Sequence, residues 1–245
     1  MRLTRVHVDQ PLAAGREVVL PESAAAHLGR VLRLGVGDAC VLFNGDGHDY
    51  AARIVALGKR ELRVAVDAAS PVLRESPLRL VLLQGVARGE KMDLILQKAT
   101  ELGAAAFHPL WSQRSEVKLD ETRAEKRLAH WRSVVSSACE QSGRAAVPAV
   151  TAPVTLQATL AALPVGGLRL ILDPEGDLAF SSLSVDLAEP VYLAIGPEGG
   201  WSPLDREQLR AAGFLGLRLG PRILRTESAG LAAIAALQAR FGDLQ

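Results

Sequence analysis

Pro71 and Pro77 separate two stretches of different rhythm, and that change limits what the chain can fold into. Ahead of them come short extended runs at Arg2–Val8, Val18–Leu20, Ala39–Asn44, Tyr50–Leu57 and Glu61–Asp67. They are broken by turn formers such as Asn44-Gly45-Asp46-Gly47 and Gly58-Lys59-Arg60. Runs this short and this regularly interrupted predict a small barrel or curled sheet. One helix is expected within it over Glu22–Leu32, with Pro21 near its start and Gly35 soon after its end. Proline carries no N–H and blocks both helix and ladder, so residues 71–77 read as a linker between a domain at 1–70 and a second at 78–245.

After the linker, apolar runs alternate with helical periodicity. Leu78–Val86 has the character of a buried strand, and Gly89–Leu102 places Met92, Ile95, Leu96, Ala99 and Leu102 on one helical face. A strand at Ala105–Leu110 and a charged helix from Glu121 to Gln141 follow. Further strands are expected at Leu168–Asp173, Val191–Ile195 and Leu217–Gly220, and further helices from Pro203 and over Glu227–Phe241. Strands alternating with helices imply an α/β domain, its parallel sheet covered on both faces.

Composition bounds the function classes. With 245 residues and 49% hydrophobic content the chain fills a real core. No apolar run approaches the roughly 18 residues of a membrane span, and Met1–Pro11 lacks an apolar stretch of signal-peptide length, so a cytoplasmic protein is expected. Cys40 and Cys139 have no Cys or His at metal-ligand spacing and read as buried free thiols, with one structural disulfide as the other reading; no metal site is expected. A net charge of +1 announces no nucleic-acid partner by itself, so any RNA footprint is local. His27, Arg30 and Arg33, at spacings of three on the expected helix, join Arg2, Arg5 and the Lys59-Arg60 turn as candidates for a surface that meets RNA phosphates. A solvated helix face explains the same residues equally well. An aromatic content of 4% argues against a long base-stacking platform.

Three segments carry chemistry. Ile195-Gly196-Pro197-Glu198-Gly199-Gly200-Trp201-Ser202-Pro203 is a glycine-rich loop between an apolar strand and a helix, with Ser202 as N-cap and Asp205 in the first turn. Ligands of open α/β sheets bind at such strand ends, where glycine lets them approach the backbone; a tight strand–helix turn would also account for the loop taken alone. Leu219-Gly220-Pro221-Arg222-Ile223-Leu224-Arg225-Thr226-Glu227 repeats the pattern, with Thr226 as a cap. Its arginines alone read as surface charges, but two such loops on one sheet favour a shared ligand pocket. In Cys139-Glu140-Gln141-Ser142-Gly143-Arg144 a helix ends in glycine and delivers an arginine, which helix-terminus chemistry also explains.

These segments, with His27-Leu28-Gly29-Arg30-Val31-Leu32-Arg33, Gly89-Glu90-Lys91-Met92 and Glu101-Leu102-Gly103, resemble in order the RsmE family, bacterial 16S rRNA uracil-N3 methyltransferases of the SPOUT class. The resemblance implies a PUA-like β-barrel domain followed by a SPOUT-type α/β domain with a C-terminal trefoil knot, a homodimer, and S-adenosylmethionine as cofactor. It implies methylation of 16S rRNA, within the small ribosomal subunit, at the N3 of a uridine. The carried-over cofactor contacts are Leu172, Ile195, Gly196, Glu198, Gly199, Gly200, Leu219, Gly220, Ile223, Leu224 and Thr226, and Arg114 joins the residues expected to meet RNA. Glu227-Ser228-Ala229 stands where the family often has Glu-Thr-Ala, and Trp201 where a smaller apolar residue is common.

Methylating an imide nitrogen requires removing its proton or stabilising the developing anion. Arginine suits the second task because it stays cationic and offers a planar fork, which makes Arg144 and Arg225 the candidates. Glu227 and Glu198 are the nearest carboxylates able to take a proton, and orienting an arginine or capping a helix accounts for each at least as well. A non-catalytic RNA-binding or ribosome-assembly factor, and a methyltransferase acting on tRNA or another rRNA site, are the alternatives; a metabolic nucleotide enzyme leaves the basic β-rich domain unexplained.

Overall fold

A computed structural model describes residues 3–58, 61–115 and 121–244. It divides into two compact units, Met1–Glu75 with Ser136–Val147, and Ser76–Val135 with Pro148–Gln245.

The first unit contains β1 (Arg5–His7), β2 (Glu17–Val19), α1 (Glu22–Ala26), β3 (Ala39–Phe43), β4 (His48–Leu57) and β5 (Leu62–Pro71). The strands form one sheet in the order β1-β3-β4-β5-β2, with β1 parallel to β3 and the remaining pairs antiparallel. Alternation sets the faces: Tyr50, Ala52 and Ile54 of β4 and Leu62, Val64 and Val66 of β5 are buried, while Ala51, Arg53, Arg63 and Asp67 point outward. The inner face closes on Val6, Leu28, Cys40 and Leu42.

Three local expectations change. The helix over Glu22–Leu32 stops being α-helical at Ala26; His27–Val31 continue as a π-turn, with the Leu32 N–H donating to the His27 carbonyl at 3.0 Å. A π-turn holds an extra residue, so His27, Arg30 and Arg33 do not stack at spacing three, and Arg33 leaves the turn at φ 56°. Second, β5 runs on to Pro71, which pairs with His48: at the last strand position the missing N–H breaks nothing. Third, Ser136–Val147 packs with the first unit, because Cys139 and Ala145 bury against Phe43. Both cysteines are buried and free.

The second unit contains β6 (Leu80–Gly85), α2 (Glu90–Glu101), β7 (Ala106–Trp111), most of α3 (Glu121–Ser142), β8 (Ala149–Val150), β9 (Val154–Thr155), α4 (Leu156–Ala162), β10 (Leu168–Leu172), β11 (Leu178–Ala179), β12 (Val191–Ile195), α5 (Pro203–Ala211), β13 (Leu215–Arg218) and α6 (Thr226–Phe241). The sheet has eight strands in the order β11-β13-β10-β12-β6-β7-β8, with β9 on β7, and every pairing is parallel. β6 and β12 are buried along their whole length, which is why they read as unbroken apolar runs. In α2 the predicted stripe Met92, Ile95, Leu96 and Ala99 is buried, and Leu102 becomes the half-buried C-cap. α4, β8, β9 and β11 were not expected; they are too short to carry a period.

Chain order from β6 leads to β7 on one side of it, whereas β12, β10 and β13 lie on the other. Loops leaving the carboxyl ends of these strands therefore part, and a crevice opens between them.

Candidate functional site

At that crevice lies a cavity of about 540 Å³, within the size range of small-molecule sites. Its walls are the loop Gly196–Trp201 after β12, the stretch Ile223–Glu227 leading into α6, Leu172 and Pro174 after β10, Lys91 of α2 and Arg206 of α5.

The β12 loop is held by its own backbone and by neighbours. Gly200 sits at φ +65° and donates its N–H to the Pro197 carbonyl at 2.8 Å, a bend few side chains would permit. The loop then ends in a capping box: Ser202 Oγ accepts from the Asp205 amide at 3.0 Å, and Asp205 Oδ2 accepts from the Ser202 amide at 2.9 Å. Beneath it, Thr226 Oγ1 donates to the Gly196 carbonyl at 2.6 Å and accepts from Gln84 Nε2 at 3.0 Å. Thr226 is thus not a helix cap. Arg225 occupies the N-cap position with no side-chain cap, and the Thr226 hydroxyl ties α6 to the loop instead.

Charge is concentrated on one side. Glu198 Oε1 accepts the Arg88 amide at 3.0 Å and lies 3.6 Å from Lys91 Nζ. Burial alone would push the Glu198 carboxyl up, but the Arg88 and Glu198 amides and the Lys91 charge outweigh it, and the group lies below the usual glutamate value. Glu227 Oε2 lies 3.5 Å from the same ammonium. Arg206, which also lines the cavity, is ion-paired with the buried Asp173. The indole Nε1 of buried Trp201 has no hydrogen-bond partner among the described residues.

All eleven expected cofactor contacts converge here. Leu172, Ile195, Gly196, Glu198, Gly199, Gly200, Ile223, Leu224 and Thr226 line the cavity; Leu219 and Gly220 line an adjoining recess of about 80 Å³ that shares Leu172, Ile223 and Leu224 with it. Of the expected catalytic residues, Arg225 and Glu227 line the cavity. Arg144 does not: it is 5% exposed in the first unit, with its guanidinium on Glu75 at 2.5 Å. A buried arginine must be paired, and Glu75 supplies that partner.

Arg5, expected on an RNA surface, is likewise buried; it meets Asp49 at 2.5 Å, donates to the Cys139 and Arg144 carbonyls, and stacks 4.6 Å from the Phe43 ring centroid. It is a structural cation of the first unit. Arg2 lies outside the described residues, as do Lys59 and Arg60. Arg30 and Arg33 are exposed and His27 is half-buried. Arg114 is exposed in the second unit, where its Nη1 donates to the Gly199 carbonyl at 3.1 Å.

Sequence reasoning missed Gln84, Gly85, Lys91, Trp201 and Arg206. A signal existed for the first two, because Gln84-Gly85 interrupts an otherwise apolar strand at its carboxyl end. Lys91 stood in the Gly89-Glu90-Lys91-Met92 stretch that carries the resemblance without being singled out, and Arg206 carried no signal, since one charged residue in a first helical turn looks like any other.

Fold and cavity define a parallel α/β protein with a nucleoside-sized slot at its strand ends, joined to a small β-rich unit. Residues 74–238 match the RNA methyltransferase domain family, and 20–67 match an RNA methyltransferase PUA domain. Relatives named ribosomal RNA small subunit methyltransferase E include one from Buchnera aphidicola, 30% identical over 99% of this chain and 98% of its own. Another, from Bacillus subtilis, is 33% identical over 86% and 85%. The crystal structure of the Neisseria gonorrhoeae ribosomal RNA small subunit methyltransferase E bound to S-adenosylmethionine is 38% identical, with a TM-score of 0.95 and full coverage of both chains. A putative Legionella pneumophila methyltransferase with bound S-adenosylmethionine is 37% identical, with a TM-score of 0.95 over 99% of this chain and 100% of that one. The chain belongs to the ribosomal RNA small subunit methyltransferase E family.

Proposed function

We propose that this protein is an S-adenosylmethionine-dependent methyltransferase of 16S rRNA in the small ribosomal subunit, acting on the N3 of a uridine. The observation that carries the reading is one cavity built from two glycine-bearing strand–helix loops, with Arg225 and Glu227 at its edge. Its residues fit the cofactor: apolar walls at Leu172, Ile195, Ile223 and Leu224, backbone groups made accessible by Gly196, Gly199 and Gly200, and an unpartnered Trp201 indole N–H. Leu219 and Gly220 extend the slot, and Glu198 and Glu227 place negative charge beside a positively charged ligand.

When bound, S-adenosylmethionine supplies an electrophilic methyl group on a sulfonium. The chain's part is to exclude water, hold the uracil edge in line, and manage the imide proton. Arg225 directs its guanidinium at a uracil carbonyl oxygen and stabilises the anion that develops as the proton leaves. Glu227 receives that proton. Arg30, Arg33, His27 and Arg114 contact RNA phosphates.

The reading includes a C-terminal trefoil knot and a homodimer working in the cytoplasm, where ribosomes are assembled. No helix among the described residues is long and apolar enough to cross a membrane.

The test is to map N3-methylated uridines in 16S rRNA from cells with and without the protein, then restore the mark with purified protein and small subunits. Identical maps, with no methyl transfer to subunits in vitro, would refute the reading.

A further inference from the structure

Three elements meet at Lys91. It stands in the first turn of α2 and lines the cavity, its ammonium reaching Glu198 of the β12 loop at 3.6 Å and Glu227 of α6 at 3.5 Å. The two carboxylates differ in what else they have. Glu198 already accepts the Arg88 amide. Glu227 Oε2 is buried with no hydrogen-bond donor among the described residues, so the ammonium is its counterweight. An anionic oxygen kept from water without a donor is costly unless a nearby charge compensates it.

We propose that Lys91 is a positioning residue for methyl transfer, whose ammonium spans Glu198 and Glu227 and fixes the Glu227 carboxylate where it takes the uracil N3 proton. The inference rests on the function proposed above. In the step it serves, the N3 proton passes to a Glu227 oxygen and the freed nitrogen pair forms the bond to the methyl carbon. The carbon–sulfur bond breaks with its pair kept by sulfur, leaving a neutral thioether. Lys91 touches neither methyl nor base; it acts through Glu227.

Among the described residues, the charged groups of α2 and α5 near Glu227 do not take the place of Lys91. Glu90 and Asp93 of α2 border the same groove and are acidic, and α3 contributes the apolar Val134. Arg225 lies two residues from Glu227 in the chain and is assigned to the uracil oxygen. Arg206 is committed to Asp173.

The experiment compares parent, K91M, K91R and E227Q as full-length proteins, and the double variant K91M with E227Q. It uses calorimetry with S-adenosylmethionine, single-turnover methylation of small ribosomal subunits, and carbon-13 NMR titration of glutamate carboxyls without cofactor. In K91M the rate should fall roughly 10–100-fold, because the carboxylate that takes the proton is no longer held in place. Cofactor affinity should stay within about threefold, and K91R should recover most of the rate because the role needs charge rather than a planar fork. Adding E227Q to K91M should cost little more, since both remove one arrangement. In the titration, Glu198 should move in K91M toward the ordinary glutamate value.

Parental rates in K91M, a rate loss that only tracks lost cofactor binding, or additive losses in the double variant would each overturn the proposal. A parent that binds cofactor and methylates no subunit would refute the substrate assignment instead. The NMR titration still judges the Lys91 bridge in that case, since an unmoved Glu198 in K91M overturns it.

Discussion

Gly85, the last residue of β6, can be probed with a single methyl group. A Cβ built there falls 2.6 Å from both N and Cδ of Pro197 and 3.0 Å from the Gly196 carbonyl carbon. Its backbone is not in the positive-φ region, so alanine meets no conformational penalty and the whole effect is steric. Pro197 cannot swing aside: its carbonyl accepts the Gly200 amide, and the Gly196 carbonyl is held by Thr226. Reaching the 3.4 Å of ordinary contact needs a shift of about 0.8 Å in the loop that forms one cavity wall. Overpacking of this kind costs roughly 1–3 kcal/mol, which expressed in binding is about 5–150-fold in Kd. Calorimetry of Gly85→Ala with S-adenosylmethionine reads it directly. Gly89→Ala is the control: a Cβ there meets nothing within 4 Å but stands at φ +53°, so it should cost about 1–3 kcal/mol of stability and leave Kd near the parent's. Parental affinity in Gly85→Ala would refute the claim that this contact sets the loop.

Other expected outcomes follow from single residues. Arg225→Ala should keep S-adenosylmethionine affinity and lose roughly 10²–10³ in single-turnover rate, with Arg225→Lys a poor rescue; loss of binding in step with rate would make it a cofactor contact instead. Arg5→Met should lower stability by about 3–5 kcal/mol in denaturant unfolding, because Asp49 loses its partner, while the salt dependence of RNA binding in the folded fraction stays as in the parent. Glu198, held below the usual glutamate value, contributes stability that is present above that value and lost as pH falls through the lower folded one. The Tm difference between parent and Glu198→Gln should therefore shrink on acidification through that window, and a difference independent of pH would contradict the assignment.

The sequence by itself determined the parts whose information is local. Unbroken apolar runs at β6 and β12 set a sheet buried on both faces, the 3.6 period of Met92, Ile95, Leu96 and Ala99 set the inner side of α2, and Ser202 with Asp205 set the start of α5. The glycines of the two loops marked the strand ends that form the cavity, because few other residues make those bends. Tertiary structure decided which distant group each polar side chain meets. Thr226 looks like a cap, yet its hydroxyl bonds Gly196, thirty residues away. Arg5 and Arg144 look like surface or catalytic cations, yet Asp49 and Glu75 bury them in the first unit, and Cys139 follows Phe43 into that unit against the order of the chain. Periodicity records which side of an element avoids water, whereas the partner of a charge depends on where the chain returns, and that is settled only when the elements pack.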